Sequence, residues 1–238
     1  MFITGKEAKH LVRVLRYKEG DRLMVSDGQK RYRVQIEKMD REAVTVLVLE
    51  TIQPTKLSPA PALGVALLKH DRLEWMIQKA VELGVSEFYL LITERTIPQY
   101  QEATSVKKMA RFQKIAEEAA KQSGMIQHPK IYPVIKWGDL LNTTPSPLPS
   151  PTRGEGSHRS ILIGWEQSPP HTFQKTWKEL DPSHLLILIG PEGGLSENEV
   201  AQALAKGAKT FGLGDQILRS ETAALAVVTL CQNALGNM

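Results

Sequence analysis

Two glycine-bearing turns hold the residues of this sequence best placed to do chemistry. Gly190-Pro191-Glu192-Gly193-Gly194 interrupts the apolar run Leu185–Ile189. Leu213-Gly214 closes a second apolar stretch, ahead of Ile217-Leu218-Arg219-Ser220-Glu221-Thr222. Glycine lets a backbone approach a ligand closely. Two such turns together can offer main-chain N–H and C=O groups to a flat heterocycle such as adenine. The alternative for each turn taken alone is a tight strand-to-helix connection. Neither turn is a GxGxxG dinucleotide fingerprint, and no GxxxxGK[ST] phosphate loop occurs in the chain. The histidines at 10, 70, 128, 158, 171 and 184 show no pairing at metal-ligand spacing, so no metal is expected.

The elements around these turns follow from apolar patterning. Leu185–Ile189 reads as a strand buried on both faces. Ser196 followed by Glu199 is a capping box that starts a helix, and a strand over Ala208–Leu213 comes next. Both turns therefore stand at the C-terminal ends of strands, where open α/β sheets bind ligands. Upstream, strands are expected over Ala62–Leu68, Glu87–Ile92, Lys130–Ile135 and Ile161–Ile163, with helices over Arg72–Leu83 and Val106–Gln122. Strand–helix alternation of this kind argues for a parallel sheet. A closing helix over Glu221–Leu235 is apolar nearly all round, so it is buried by its own domain or by a partner subunit.

The first quarter of the chain has a different grammar. A helix is expected over Glu7–Arg16, with Leu11, Val14 and Leu15 on its apolar side and His10, Arg13 and Arg16 at successive turns. Strands over Arg22–Ser26, Arg31–Lys38 and Ala43–Ile52 follow, the first pair joined through Asp27-Gly28. This reads as a small β-barrel in which Arg31 and Arg33 share one face. Pro54–Pro61 is a proline-rich linker, giving domains 1–55 and 62–238. A second proline-rich stretch, 143–159, cannot pack a core and is expected to be a surface loop.

Composition bounds the partners. The net charge is +4, and residues 1–60 hold 12 Lys/Arg against 8 Asp/Glu, while the remainder is balanced. A basic N-terminal module suits a polyanion such as nucleic acid, with a solvated face as the alternative. No apolar run is long enough to span a membrane, and no signal-peptide core precedes the first helix, so a cytoplasmic protein is expected. The single Cys231 cannot build a disulfide framework and reads as a core residue.

Several ordered blocks resemble the RsmE family, bacterial methyltransferases of the SPOUT class that modify N3 of a uridine in 16S ribosomal RNA. They are His10–Arg16 with Gly20-Asp21; Asp71–Lys79 with Glu82-Leu83-Gly84; Glu94-Arg95; Glu117–Gly124; Ile189–Gly194; and Leu213-Gly214 with Ile217–Ala223. The resemblance covers nearly the whole chain. Met125 and Gln216 depart from it, standing where basic residues are usual.

The resemblance implies an α/β fold: a SPOUT-type parallel sheet with a C-terminal trefoil knot, plus a small N-terminal PUA-like β-barrel. It implies a homodimer acting on 16S rRNA of the small ribosomal subunit with S-adenosyl-L-methionine as cofactor. Gly164, Gly190, Glu192, Gly193, Leu213, Gly214, Ile217 and Leu218 would line the cofactor site. His10, Arg13, Arg16, Arg31 and Arg33 would meet RNA. Uridine N3 must lose a proton, so a base or a cation for the forming anion is needed. Arg219 is the candidate cation, and Glu192 and Glu221 are the candidate proton acceptors. For each carboxylate a structural role is the alternative: Glu221 capping the last helix, Glu192 holding the turn. Two other functions stay open: methylation of another RNA base or a ribose, and a non-catalytic RNA-binding role in ribosome assembly.

Overall fold

The computed structural model describes residues 1–27, 30–40, 42–52, 59–68, 71–96, 106–125, 128–143, 159–170 and 172–238. The chain divides into two units, Met1–Leu57 and Ser58–Met238. Most of the proline-rich linker, the tip of the Asp27-Gly28 hairpin and most of the 143–159 stretch lie outside the described residues.

In the first unit, β1 (Phe2–Thr4), β2 (Arg22–Ser26), β3 (Arg31–Met39) and β4 (Ala43–Ile52) form an antiparallel sheet in the order β1-β4-β3-β2. Two register shifts between β3 and β4 curl it into a half-barrel. Alternating residues Val34, Ile36, Val44 and Val46 point inward and meet Ala8 and Leu11 of α1 (Gly5–Arg13). The sequence pattern missed β1, and α1 begins and ends earlier than expected. Its last residue is Arg13, and Val14 and Leu15 are 63% and 52% exposed rather than packed. Arg16 lies beyond the helix with φ of 54°, so it does not continue the face of His10 and Arg13.

The second unit is a three-layer α/β/α domain on six parallel strands. They are β5 (Ala62–Ala66), β6 (Glu87–Ile92), β7 (Lys130–Lys136), β8 (Ser160–Gly164), β9 (Leu185–Ile189) and β10 (Lys209–Phe211), in the order β10-β8-β9-β5-β6-β7. Helices α2 (Asp71–Glu82), α3 (Val106–Ser123) and α7 (Ser220–Ala234) cover one face. Residues Leu63, Val65, Ile187 and Ile189 point towards them. Their neighbours Ala62, Leu186 and Leu188 point the other way, towards α4 (Trp137–Asn142) and α6 (Glu197–Ala205). Period-2 alternation on a sheet buried on both faces requires apolar residues at every position, as the fully buried β5 and β9 show. The short helices α4 and α5 (Phe173–Trp177) were not expected from the sequence.

Helices α2 and α7 run in parallel. Arg72, at the start of α2, pairs with Glu221, at the start of α7, while Gln232, near the end of α7, donates its Nε2–H to the Leu83 carbonyl at 2.6 Å. Cys231 is buried on this face, and burial pushes its thiol pKa up to about 12, as expected of a core residue.

Candidate active site at the strand ends

Four strands finish level. Phe211 of β10 pairs with Gly164 of β8, which pairs with Ile189 of β9, which pairs with Val65 of β5. The connections leaving these strands therefore open at one rim of the sheet, where main-chain groups not used by the ladder are available.

The turn after β9 is pinned from all sides. A Cβ on Gly190 would stand 2.9 Å from Leu195 Cγ and 3.0 Å from the Leu195 backbone nitrogen, so only glycine fits. Gly194 closes the turn by donating its N–H to the Pro191 carbonyl at 2.9 Å, with φ of 72°. The Glu166 carboxylate packs against that glycine. Arg95 Nη1 donates to the Gly193 carbonyl at 2.8 Å. Behind the turn, the capping box forms: Glu199 N–H donates to Ser196 Oγ at 3.1 Å, and Ser196 N–H to Glu199 Oε2 at 2.9 Å. The other oxygen of buried Glu199 accepts the Glu94 N–H at 2.8 Å. Glu94 in turn accepts from Asn198 Nδ2 at 2.9 Å, the principal reason its carboxyl pKa is lowered.

The turn after β10 is built differently. Gly212 lies against the Ser168 and Pro169 carbonyls and donates its N–H to Thr172 Oγ1 at 3.1 Å. Beyond it, Leu213, Gly214, Ile217 and Leu218 make no main-chain to main-chain hydrogen bond among the described residues. Ile217 is 90% exposed, while Leu213 leans on the core. On the segment leaving β8, Ser168 Oγ and Trp165 Nε1 are buried without a hydrogen-bond partner among the described residues. The rim thus combines close-packed glycines with unused polar groups, an arrangement suited to a ligand held largely by backbone.

The charged residues converge on a side chain that the sequence reading did not assign to the site. Arg72 sits between the two candidate acceptors, its Nη1 3.5 Å from Glu192 Oε1 and its Nε 3.8 Å from Glu221 Oε1. Glu221 is only 8% exposed, and its Oε2 is buried with no partner among the described residues. Glu221 is the acidic residue in the first turn of α7, where a carboxylate favours the helix N-terminus. The N-terminus of α7 has no side-chain cap hydrogen bond, and the Gly190–Gly194 turn is closed by its own backbone. Arg219 occupies the N-cap position of α7 and is exposed. The signal for Arg72 was its place in the first turn of the helix that follows β5, near a strand end. Its contacts with residues far along the chain had no signal.

In the N-terminal unit, His10 and Arg13 are exposed in the last turn of α1, and Arg16 is exposed beyond it. Arg31 and Arg33 lie two apart on β3, but Arg33 is paired with Glu50 at 2.8 Å, so its charge is partly committed within the sheet. Among the described residues no group of His, Cys, Asp and Glu could hold a metal ion, and no helix is long and apolar enough to cross a membrane. A further concavity, an open groove of about 750 Å³ between α2 and α3, includes Glu74, Trp75 and Glu118. Its Glu74, Glu118 and Glu82 pair with Arg111 at 2.6 Å, Lys114 at 3.7 Å and Lys79 at 2.8 Å, while Asp71, Gln78 and Gln122 also line it.

The strand-end turns lie within an RNA methyltransferase domain. Residues 56–232 match the family model of that description, and residues 3–49 match the RNA methyltransferase PUA domain. The Ribosomal RNA small subunit methyltransferase E of Bacillus subtilis (strain 168) is 32% identical over 231 residues, 94% of this chain and 86% of that protein. The protein of the same name from Synechocystis sp. is 32% identical over 236 residues, 98% of this chain and 72% of its own. Among solved structures, a Ribosomal RNA small subunit methyltransferase E from Neisseria gonorrhoeae bound to S-adenosyl methionine superposes with a TM-score of 0.75. That match is 25% identical and covers 98% of this chain and 91% of the other. The chain belongs to the ribosomal RNA small subunit methyltransferase E family.

Proposed function

We propose that this chain transfers a methyl group from S-adenosyl-L-methionine to N3 of a uridine in 16S rRNA of the small ribosomal subunit. In this reading residues 1–55 form the PUA-like RNA-holding domain and 62–238 the SPOUT catalytic domain, with its C-terminal segment threaded as a trefoil knot. The enzyme works as a homodimer in the cytoplasm. The observation that carries the reaction is Glu221, a carboxylate beside the strand-end turns with one buried oxygen that has no partner among the described residues.

The rim fits the cofactor. Gly190 and Gly194 have no room for a side chain, and among the described residues Leu213, Gly214, Ile217 and Leu218 make no main-chain to main-chain hydrogen bond and buried Ser168 Oγ has no partner. Gly164, Gly190, Glu192, Gly193 and that second turn hold it through main-chain and short polar contacts. When bound, it supplies an electrophilic methyl on a sulfonium. The protein's own residues do the rest. Uridine N3 carries a proton that must leave for the nitrogen lone pair to attack, and Glu221 Oε2 accepts it. Arg219, exposed at the head of α7, offers positive charge to O2 and O4 of the uracil ring as that proton leaves. His10, Arg13, Arg16, Arg31 and Arg33 contact RNA phosphates, which position the substrate without reading its sequence.

Labelled S-adenosyl-L-methionine, small ribosomal subunits lacking the modification and nucleoside analysis of the product test this reading. 3-Methyluridine at a single site is the expected result. Cofactor binding without transfer would mean another RNA target, and no cofactor binding would leave an RNA-binding assembly protein.

A further inference from the structure

We infer that Arg72 is a positioning residue for catalysis: it ties Glu221 to Glu192 and leaves Glu221 Oε2 as the proton-accepting oxygen. The inference rests on the proposed methylation of uridine N3. One guanidinium uses two different nitrogens on two carboxylates, Nε towards Glu221 Oε1 at 3.8 Å and Nη1 towards Glu192 Oε1 at 3.5 Å. The three residues come from three separate segments: the first turn of α2, the glycine turn after β9 and the first turn of α7. With one oxygen of Glu221 engaged, turning the carboxylate would break its 3.8 Å ion pair with Arg72, whose side chain is half-exposed while that of Glu221 is nearly buried. The two acceptor candidates are unlike: Glu192 is the more exposed anchor of the tie, and Glu221 is the buried member, with an oxygen that has no partner among the described residues.

The frame behind the tie is stiff enough for this to matter. Gln232 locks the far end of α7 to the Leu83 carbonyl at 2.6 Å, and Gly84, with φ of 92°, leaves the space that the Gln232 amide fills. Helix α7 is therefore held on α2 at both ends, and Arg72 sets the end that carries Glu221. Lysine at this position would keep the charge but present a single nitrogen, which cannot face both carboxylates along separate directions.

The test is a double-mutant cycle on the full chain with Arg72→Gln, Arg72→Lys, Glu221→Gln and the Arg72→Gln/Glu221→Gln pair. Single-turnover methylation of small subunits, cofactor binding by calorimetry and urea unfolding are measured for each. Glu221→Gln should lower the rate about 100-fold or more, the usual range for a general base. Arg72→Gln should lower it about 10-fold, with KM for the subunit within about threefold of the unaltered chain, because its loss disorients the base without touching the RNA. Arg72→Lys should fall between Arg72→Gln and the unaltered chain. In the Glu221→Gln background, removing Arg72 should cost almost nothing further. An undiminished 10-fold loss in that background, or a loss confined to KM or Kd, would overturn the inference. The urea cycle tests the tie without any reaction. Midpoint shifts that add without coupling would overturn the inference even if methylation proceeds as proposed. Coupled midpoints with no methylation by the unaltered chain would overturn the uridine reading, and Arg72's catalytic role with it.

Discussion

The two turns at the rim have similar glycine content and opposite construction. The Gly190–Gly194 turn is held by its own backbone, by Arg95, by Glu166 and by the capping box beneath it. Among the described residues the Leu213–Leu218 turn has no main-chain to main-chain hydrogen bond at Leu213, Gly214, Ile217 or Leu218, and it exposes an isoleucine almost completely. In the proposed function the first turn is a preformed floor whose shape is determined before any ligand arrives. The second is the side that is completed on binding, so it contributes affinity rather than stability.

Breaking the floor should have the largest effect. Gly190→Ala places a methyl against the Leu195 backbone nitrogen and the Gly194 carbonyl carbon, at 3.0 and 3.2 Å. Overpacking against backbone costs about 2 kcal/mol, so the urea midpoint should fall and cofactor affinity should drop about 10-fold or more. Ile217→Ala is the matched change in the other turn. At 90% exposure it should leave stability within about 0.5 kcal/mol of the unaltered chain, while calorimetry shows weaker cofactor binding. Equal losses of stability at both positions would refute the contrast.

An intermediate effect is expected at the strap. Arg95→Ala removes the 2.8 Å bond to the Gly193 carbonyl. A hydrogen bond from a charged donor is worth about 1.5–3 kcal/mol when sheltered, and this one is exposed, so about 1 kcal/mol is expected. Cofactor affinity should fall about fivefold as the turn loosens. Unchanged affinity with lower stability would make Arg95 a structural residue only.

Much of this arrangement was legible in the sequence because it rests on local rules. The parallel grammar, the buried run Leu185–Ile189 and the Ser196–Glu199 box follow from periodicity and capping, and each appears in the structure. The failures are equally physical. Strand β1 is three residues long and takes its definition from pairing with β4, so it has no pattern of its own. Val14 and Leu15 completed an apolar helical face on paper, but the helix had already ended at Arg13. The roles of Arg72 and Arg95 depend on partners brought close only by the sheet, and the buried isolation of Glu221 Oε2 can be seen only once α7 is packed. Local signals therefore located the turns, and tertiary contacts determined how each one is held.

The smallest expected effect concerns acid. Glu94 accepts from Asn198, and this bond, together with the Ser196 hydroxyl and the nearby Arg95 charge, lowers its carboxyl pKa from the ordinary value of 4.5. A carboxylate whose folded-state pKa is depressed stabilises the folded chain fully above its unfolded value, and that contribution fades as pH falls through the folded value. The strap beneath the Gly190–Gly194 turn should therefore be intact at neutral pH and weaken only below pH 4.5. Asn198→Ala removes the main cause, so its urea midpoint should lie slightly below that of the unaltered chain at pH 6, and the two should converge as pH drops below the carboxylate range. Because Glu94 is fully exposed, water competes for the same carboxylate and the gap should be small. A gap that stays constant across the acid range would mean that Asn198 supports α6 by packing alone, and the pinned turn would then owe its rigidity to Arg95 and the capping box.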